Sequence, residues 1–546
     1  MTGIIEIPEE VVSIGGGAFL NCRNLEGIIF NQNLENIGYS SLGGSYETGG
    51  AFENCYGINS IICKSIIPPY VQDGAFNGVP KDNFTLEVPE SYIHLYRSEN
   101  GWREFKRIAA HHELVCRPSL ACAINTTAKR TLLLDAEGDW EVQSMPDWCD
   151  LSQKSGSGKS ELTLTIKQMP SGSGSRTGNI VFRLKNKDYT HQCTVNQYDY
   201  QYGEDEVVNL QQATRGSEGG INIVLVGDGY NGKDISEGQY MEDMHQAMEY
   251  FFNIEPYKTY RDYFNVNTAI AVSPENGIGT INAIRYNRFE TSFAGGVGLK
   301  ADRDAIVDYA LRIPSVNEKN INQTLIIVIP NTTEYGGISY LYESGTAITF
   351  CPKSAYGYPF DFRGVIQHEA GGHGFGKLAD EYIYHNAFID MCECSCCGHV
   401  DAVLGAKALG WYDNIDVTGK IHDVTWSHLI FDSRYNDIVD IFEGAFMHSR
   451  GVYRSEPNSC MNNDIPYYNT ISRESIVRRI KSYAGETFSF EEFVKNDYRD
   501  ADIITRAVGT PWMGNTIHSI QHKPVILKES PISTGSKKKN SKRRLL

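Results

Sequence analysis

Nowhere does the sequence run through about eighteen consecutive apolar residues, the length a membrane-spanning helix needs, so no segment is expected to span a bilayer. Basic residues are in the minority: 50 Lys and Arg stand against 67 Asp and Glu, for a formal net charge of −17. That imbalance excludes nucleic acid as the main partner. The one dense basic run, Lys537, Lys538, Lys539, Lys542, Arg543 and Arg544, sits in a polar Ser/Lys/Asn tail and reads as a solvated, disordered end. Phosphate loops are missing too. The phrase GDGYNG has neither G-x-G-x-x-G nor a following Gly-Lys-Ser/Thr, so Asp228 within it reads as a turn cap rather than a cation ligand. Paired C-x2-C motifs are absent as well, and most of the 13 cysteines are scattered. Cys392, Cys394, Cys396 and Cys397 cluster ahead of His399, but that crowded order suits a local disulfide or free thiols better than a structural zinc site. The start of the chain lacks the basic stretch and long apolar core of a signal peptide. Because it begins inside a repeating pattern, the natural product is expected to start upstream, to carry an export signal there, and to be secreted or held at the cell surface.

A chain of 546 residues exceeds what one ordinary core supports, so several domains are expected. Near the start, IGGGAFLNCRNLEGIIF from Ile14, GGAFENCYGINSIIC from Gly49 and DGAFNGVP from Asp73 repeat a Gly turn before Ala-Phe and then short strand-like apolar residues. Such a period predicts a solenoid that buries Phe19, Phe52 and Phe76 against neighbouring units. With its closing phrase FTLEVPESYIHLYRSENGWREFKRI, this stretch resembles BspA-type leucine-rich repeats, which implies a binding or presentation surface. From Leu132 to Val195 come short alternating strands, LLLDAEGDWEV, ELTLTIKQM and GNIVFRLKN, the pattern of a small antiparallel sandwich. Trp140 and Trp148 there are either sugar platforms or core residues. The phrases GDWEV, MPDW and CTVNQ resemble the BACON domain of gut Bacteroidetes proteins, which implies carbohydrate contact or a spacer.

After the Tyr-rich linker QYDYQYGEDE, buried-looking strands (INIVLVGD, TLIIVIP, AITF) alternate with a helix-period segment, MEDMHQAMEYFFNI. The expected fold is a multidomain chain: a leucine-rich repeat solenoid over 1–109, a small β-sandwich over 110–201, an α/β mixed-sheet, zincin-like unit over 207–498, and a C-terminal extension with the basic tail over 499–546. Within the third unit, GGISYLYESG is expected to form an edge strand along which an extended peptide can lie.

The chemistry is concentrated in VIQHEAGGHGFGKLADEY, from Val365 to Tyr382. Two imidazoles, His368 and His373, a carboxylate base, Glu369, and a further carboxylate are the group types of a zinc hydrolase. The usual spacing of four residues separates two His by about 40° on an α-helix, whereas five residues separate them by about 140°. A wide π turn, eased by Gly371 and Gly372, would bring both nitrogens to one side. Asp380 is the expected third ligand, with Glu381 next and the more distant Glu443 behind it. Tyr453 and Arg454 have the chemistry to stabilise an oxyanion or hold a substrate carboxylate.

Together, GDGY, GGISY, HEAGGHGFGKLADEY and FEGAFMHSRGVYRSEPNSCM resemble the IgA-peptidase family of zinc metallopeptidases over about Asn222 to Ile480. Members show His-Glu-x-Gly-His and then Leu-x-Asp-Glu-Tyr; this chain keeps Leu378, Asp380, Glu381 and Tyr382 but has one extra residue between the His. The five-residue spacing resembles dipeptidyl peptidase III, and Met461 resembles the methionine turn beneath a metzincin metal. The resemblance implies bound Zn2+, His368, His373 and Asp380 as ligands, Glu369 and Tyr453 in catalysis, and a secreted endopeptidase. Its substrates would be host proteins or glycoproteins of the immunoglobulin A kind. The competing expectation is a surface adhesin or carbohydrate-binding and protein-binding scaffold of weak activity.

Overall fold

The computed structural model describes residues 3–8, 10–38, 49–111, 114–136, 138–185, 189–216, 219–280, 285–293, 298–390, 399–499 and 523–532. The Cys392 to Cys397 cluster and the basic tail lie outside them. Among the described residues no helix is long and apolar enough to cross a membrane, and the nine cysteines there are free thiols.

The repeats form a solenoid. Leu25–Phe30, Ser60–Cys63 and Leu86–Val88 pair in parallel along its main sheet. Each repeated Phe stacks on the next, Phe19 on Phe52 at 4.9 Å and Phe52 on Phe76 at 5.6 Å between ring centroids. Trp102, fully buried, meets Phe76 at 5.6 Å and donates its indole N–H to the Pro69 carbonyl. The stack is thereby continued into the closing unit, because each ring finds its apolar partner one repeat away.

The second region is a sandwich of two sheets, one running from Leu120–Ile124 to Ser155–Ser157 and the other from Cys149–Leu151 to Leu114–Arg117. Its tryptophans are not open platforms. Trp140 is fully buried against Phe182, and the Arg176 guanidinium lies 4.4 Å over the ring of half-buried Trp148. A buried ion pair ties the sandwich to the linker after it, Arg130 Nη1 and Nη2 donating to the two Glu204 oxygens at 2.7 and 2.8 Å.

The third region is built on a mixed sheet whose strands are β1 (Val207–Gln211), β2 (Ile221–Asp228), β3 (Phe264–Ala269), β4 (Leu325–Pro330), β5 (Ile338–Tyr342), β6 (Ala347–Phe350) and β7 (Val525–Leu527). Their order across the sheet is β1-β3-β2-β4-β6-β5-β7. β2 and β4 are continuous apolar runs because both faces are covered. Ile223, Leu225, Ile327 and Ile329 enter one core, while Val224, Val226, Ile326 and Val328 enter the other. The helix Gln239–Phe252 turns Tyr240, Met244, Ala247, Met248 and Phe251 onto the first core at helical spacing. Asp228, at the end of β2, is a turn clamp, accepting backbone N–H groups from Gly229, Arg288, Phe289 and Thr291. Two expectations are corrected. Val525–Leu527, assigned from sequence to the C-terminal extension, is a strand of this sheet, so β5 is not a bare edge: Tyr340 to Tyr342 are paired with it.

Candidate metal centre

The motif helix begins at Phe362: Asp361 caps a short α-helical turn by accepting the Gly364 N–H at 2.9 Å. From Ile366 to Phe375 it widens into a π-helix. Two buried phenols brace the widened turn from outside: Tyr257 donates to the Gly371 carbonyl at 2.6 Å, which also accepts the Gly376 N–H at 2.9 Å, and Tyr468 donates to the Gln367 carbonyl. Glycine is required here for space. A Cβ on Gly371 would strike the Tyr468 hydroxyl, one on Gly372 the Met461 sulfur, and one on Gly374 would lie 2.6 Å from Thr349 Cγ2 of β6. Close approach to the sheet and to Met461 thus depends on missing side chains. Gly372→Ala is expected to destabilise the fold by about 1–3 kcal/mol through overpacking, and Met461→Ala in the same chain should recover part of that loss, as chemical denaturation of the single and double variants would measure.

With the helix so widened, His368 and His373 face one another. Their Nε2 atoms are 3.1 Å apart, and each is 3.1 Å from Asp380 Oδ1. All three residues are buried. The edge of a tetrahedron with metal–nitrogen bonds of about 2.0–2.1 Å is about 3.3 Å, so the three donors have the spacing of one face of a zinc coordination sphere. The second Asp380 oxygen has no hydrogen-bond partner. His373 Nδ1 donates to the Leu378 carbonyl at 2.8 Å, and His368 Nδ1 faces the Cys460 carbonyl at 3.0 Å and Asp464 Oδ1 at 2.8 Å. Both rings therefore turn an Nε2 lone pair toward the common centre. The electrostatics favour positive charge there. Burial opposes a proton on His368, but Asp464 and Asp380 raise its affinity well above the ordinary value; burial also opposes ionisation of Asp380, but His373 and His368 hold its carboxyl below the usual range.

Glu369 sits beside this triangle without joining it. One of its oxygens accepts from the Ser339 hydroxyl of β5 at 2.8 Å, and Gly337 makes room for it, since a Cβ there would lie 2.6 Å from Oε1. Burial raises its pKa, against the pull of the two imidazoles. Glu381 points elsewhere. Its oxygens accept from Asn414 at 2.8 Å, Asn469 at 2.7 Å and Ser459 at 2.5 Å, and burial pushes its carboxyl up to about 7. It ties the Ala379–Glu381 loop to the helix at Asn469. Glu443 is exposed and accepts from the Gly451 N–H.

Tyr453 is not gathered into this group. It lies on the strand Met447–Arg454, opposite Asp416 and Glu443, with its ring against Gly419. A different phenol, that of buried Tyr382, lies beside the imidazoles, its ring stacked on His368 at 6.4 Å between centroids. Arg454 spans the Gly444 and Pro457 carbonyls. Met461 is fully buried beneath Gly372, as an apolar floor would be. Asp464 had no signal in the sequence, and Gly337 and Ser339, though they fall in the phrase GGISY, were not legible as partners of Glu369, because each reaches the centre from an element distant in the chain. Asp464 holds a left-handed φ of 57°, which Asn also tolerates. Asp464→Asn should therefore keep the backbone and lose the charge facing His368, lowering zinc affinity by about tenfold or more in a competitive chelator titration.

Comparison with known proteins agrees with this arrangement. Residues 208–392 match the IgA Peptidase M64 family, residues 138–198 a putative binding domain of the BACON type, and residues 2–78 a BspA-type leucine-rich repeat region in 6 copies. No curated protein matches the chain. Among solved structures, a Bacteroides ovatus family 5 xyloglucanase in complex with a heptasaccharide is 16% identical over 20% of this chain and 26% of its own, with a TM-score of 0.16. A protein of unknown function from Porphyromonas gingivalis is 10% identical over 21% of this chain and 59% of its own, with a TM-score of 0.15. The chain thus spans about a quarter of the first and under two thirds of the second, and no argument rests on likenesses this slight. The family match covers the two imidazoles, Glu369 and Asp380 together, and the chain carries an IgA-peptidase M64 domain behind BspA-type leucine-rich repeats and a BACON domain.

Proposed function

We propose that the protein is a zinc-dependent endopeptidase, exported to act on proteins or glycoproteins outside the cell. The observation that carries this reading is the buried triangle of His368 Nε2, His373 Nε2 and Asp380 Oδ1 at 3.1 Å on each side, with the Glu369 carboxylate next to it. His368, His373 and Asp380 would hold the ion, two neutral nitrogens and one anionic oxygen being a usual donor set for catalytic zinc. Zinc bound there supplies Lewis acidity to a scissile carbonyl and acidity to water.

The remaining chemistry belongs to the chain. Glu369, buried and held by Ser339, takes a proton from water and passes it to the leaving amine. Its raised proton affinity suits both halves of that transfer. Tyr382, stacked on His368, is the phenol situated to meet charge developing on a substrate oxygen, a role that the position of Tyr453 on a separate strand does not favour. The peptidase unit is proposed to extend from about Val207 through at least 532, because β7 belongs to its sheet. The solenoid and sandwich would contact the substrate's carrier or the cell surface.

The test is metal analysis of the purified chain together with cleavage of an unfolded protein substrate. One equivalent of zinc, with cleavage abolished by a chelator and restored by zinc, is the expected result. A folded, metal-free chain without cleavage would favour the adhesin reading instead.

A further inference from the structure

Two thiols of the sandwich meet between its sheets. Cys116 is on Leu114–Arg117, an end strand of one sheet, where it pairs with Leu134. Cys193 is on Thr190–Tyr198 of the other sheet, paired with Ile180. Both side chains are fully buried and belong to the same apolar core. Their sulfurs converge on one atom: the Pro118 carbonyl oxygen is 3.5 Å from Cys193 Sγ and 4.0 Å from Cys116 Sγ. The two thiols also hydrogen-bond to each other, and that contact, with burial behind it, pushes the pKa of the Cys116 thiol up.

The place is one where a covalent link has something to hold. Within its sheet, Leu114–Arg117 pairs on one side only, with Leu133 to Ala136. It is also where the solenoid enters the sandwich, Arg117 bonding Glu90 of the closing unit at 3.1 Å. Strands held by so short a ladder open before those in the middle of a sheet. We propose that Cys116 and Cys193 close into a disulfide when the chain folds in the presence of a disulfide oxidant, stapling this end strand to the opposite sheet.

The chemistry is two successive exchanges. The thiolate of one cysteine attacks the oxidant's disulfide, forming a mixed disulfide and releasing one thiol. The thiolate of the second cysteine then attacks the first cysteine's sulfur and releases the other thiol. The oxidant's S–S bond is broken, the Cys116–Cys193 bond is formed, and the two electrons and two protons that the cysteines lose end on the oxidant's thiols. Because both sulfurs are buried in the finished sandwich, the exchange belongs to folding, and the finished bond is shielded from dissolved reductant. That the chain meets such an oxidant in its cell rests on export, but the pairing can be measured on the purified protein.

The experiment unfolds and reduces the full chain, then refolds it with zinc either in a mixture of oxidised and reduced glutathione or in reduced glutathione alone. Alkylation followed by peptide mapping without reduction should find Cys116 and Cys193 joined in the first sample and alkylated separately in the second. The joined sandwich should melt roughly 10 °C higher, since the bridge closes most of its chain into one loop, and the amides of Leu114 to Arg117 should exchange more slowly. In the Cys116→Ala/Cys193→Ala chain the two refolding conditions should give the same melting temperature, which separates this link from any made by the other cysteines. Three results would overturn the proposal: separate alkylation of Cys116 and Cys193 in the oxidised sample, a link from either to Cys149 of the same core, or a link that leaves melting unchanged. A Cys116–Cys193 link in the refolded protein, with both thiols free in protein recovered from the cells that make it, would uphold the pair and reject export.

Discussion

Glu369→Gln is expected to keep one equivalent of zinc and to lose about two to four orders of magnitude in peptide hydrolysis, the range that general acid–base assistance supplies. The two halves of this result come from different features of the geometry. Glu369 is outside the triangle made by His368, His373 and Asp380, so its charge can be removed without removing a donor. Glutamine has the same shape, and the oxygen that accepts from Ser339 can be retained. What is lost is the ability to take and return a proton in a buried position. Metal analysis and kinetics on the same sample separate this from simple loss of zinc. A Glu369→Gln chain that holds zinc and hydrolyses peptides at the parent rate would sink the mechanism while leaving the metal site intact.

Removal of a donor should behave differently. His373→Ala and Asp380→Asn are each expected to lower zinc content and hydrolysis together, because among the described residues no fourth His, Cys, Asp or Glu joins the three buried donors to replace the missing one. Glu381→Gln is the control one residue away. Its carboxylate accepts three hydrogen bonds from Asn414, Asn469 and Ser459 and none from the imidazoles, so zinc should be kept. Stability will fall modestly where Ser459 must turn its hydroxyl to accept from the new amide. If Glu381→Gln instead empties the site and Asp380→Asn leaves it full, the ligand assignment moves by one residue. Zinc measured by mass spectrometry on folded samples, checked by circular dichroism, decides between the two.

Much of this protein is legible from local pattern. The repeated Gly-Ala-Phe phrases specify a solenoid because a unit that cannot bury its own phenylalanine must bury it on the next, and Phe19, Phe52 and Phe76 do stack in that order. The runs INIVLVGD and TLIIVIP specify covered strands, since only a sheet with a layer on each face accepts uninterrupted apolar residues. The spacing of His368 and His373 carried a statement about helix shape, because five residues on an α-helix put two ligands on different sides. The π-helix at Ile366–Phe375 answers it. Here the sequence is informative because the constraint acts within a few residues.

Tertiary structure decided what depends on groups far apart in the chain. Asp380 and Glu381 are neighbours with the same chemistry, and no local pattern says which turns toward the imidazoles; Asn414, Ser459 and Asn469 make that choice by holding Glu381 away. The hydroxyls that brace the π-helix come from Tyr257 and Tyr468, on opposite sides of it in sequence. Tyr453 looked suitable by residue type, but strand pairing with Glu443 and Asp416 sets it apart from the triangle, and only the course of the chain determines that. β7 is the plainest case. Val525–Leu527 is three apolar residues in a polar tail, too short to carry a period, and it becomes a strand only because β5 offers it unpaired N–H and C=O groups and the second core offers Leu527 a place to be buried.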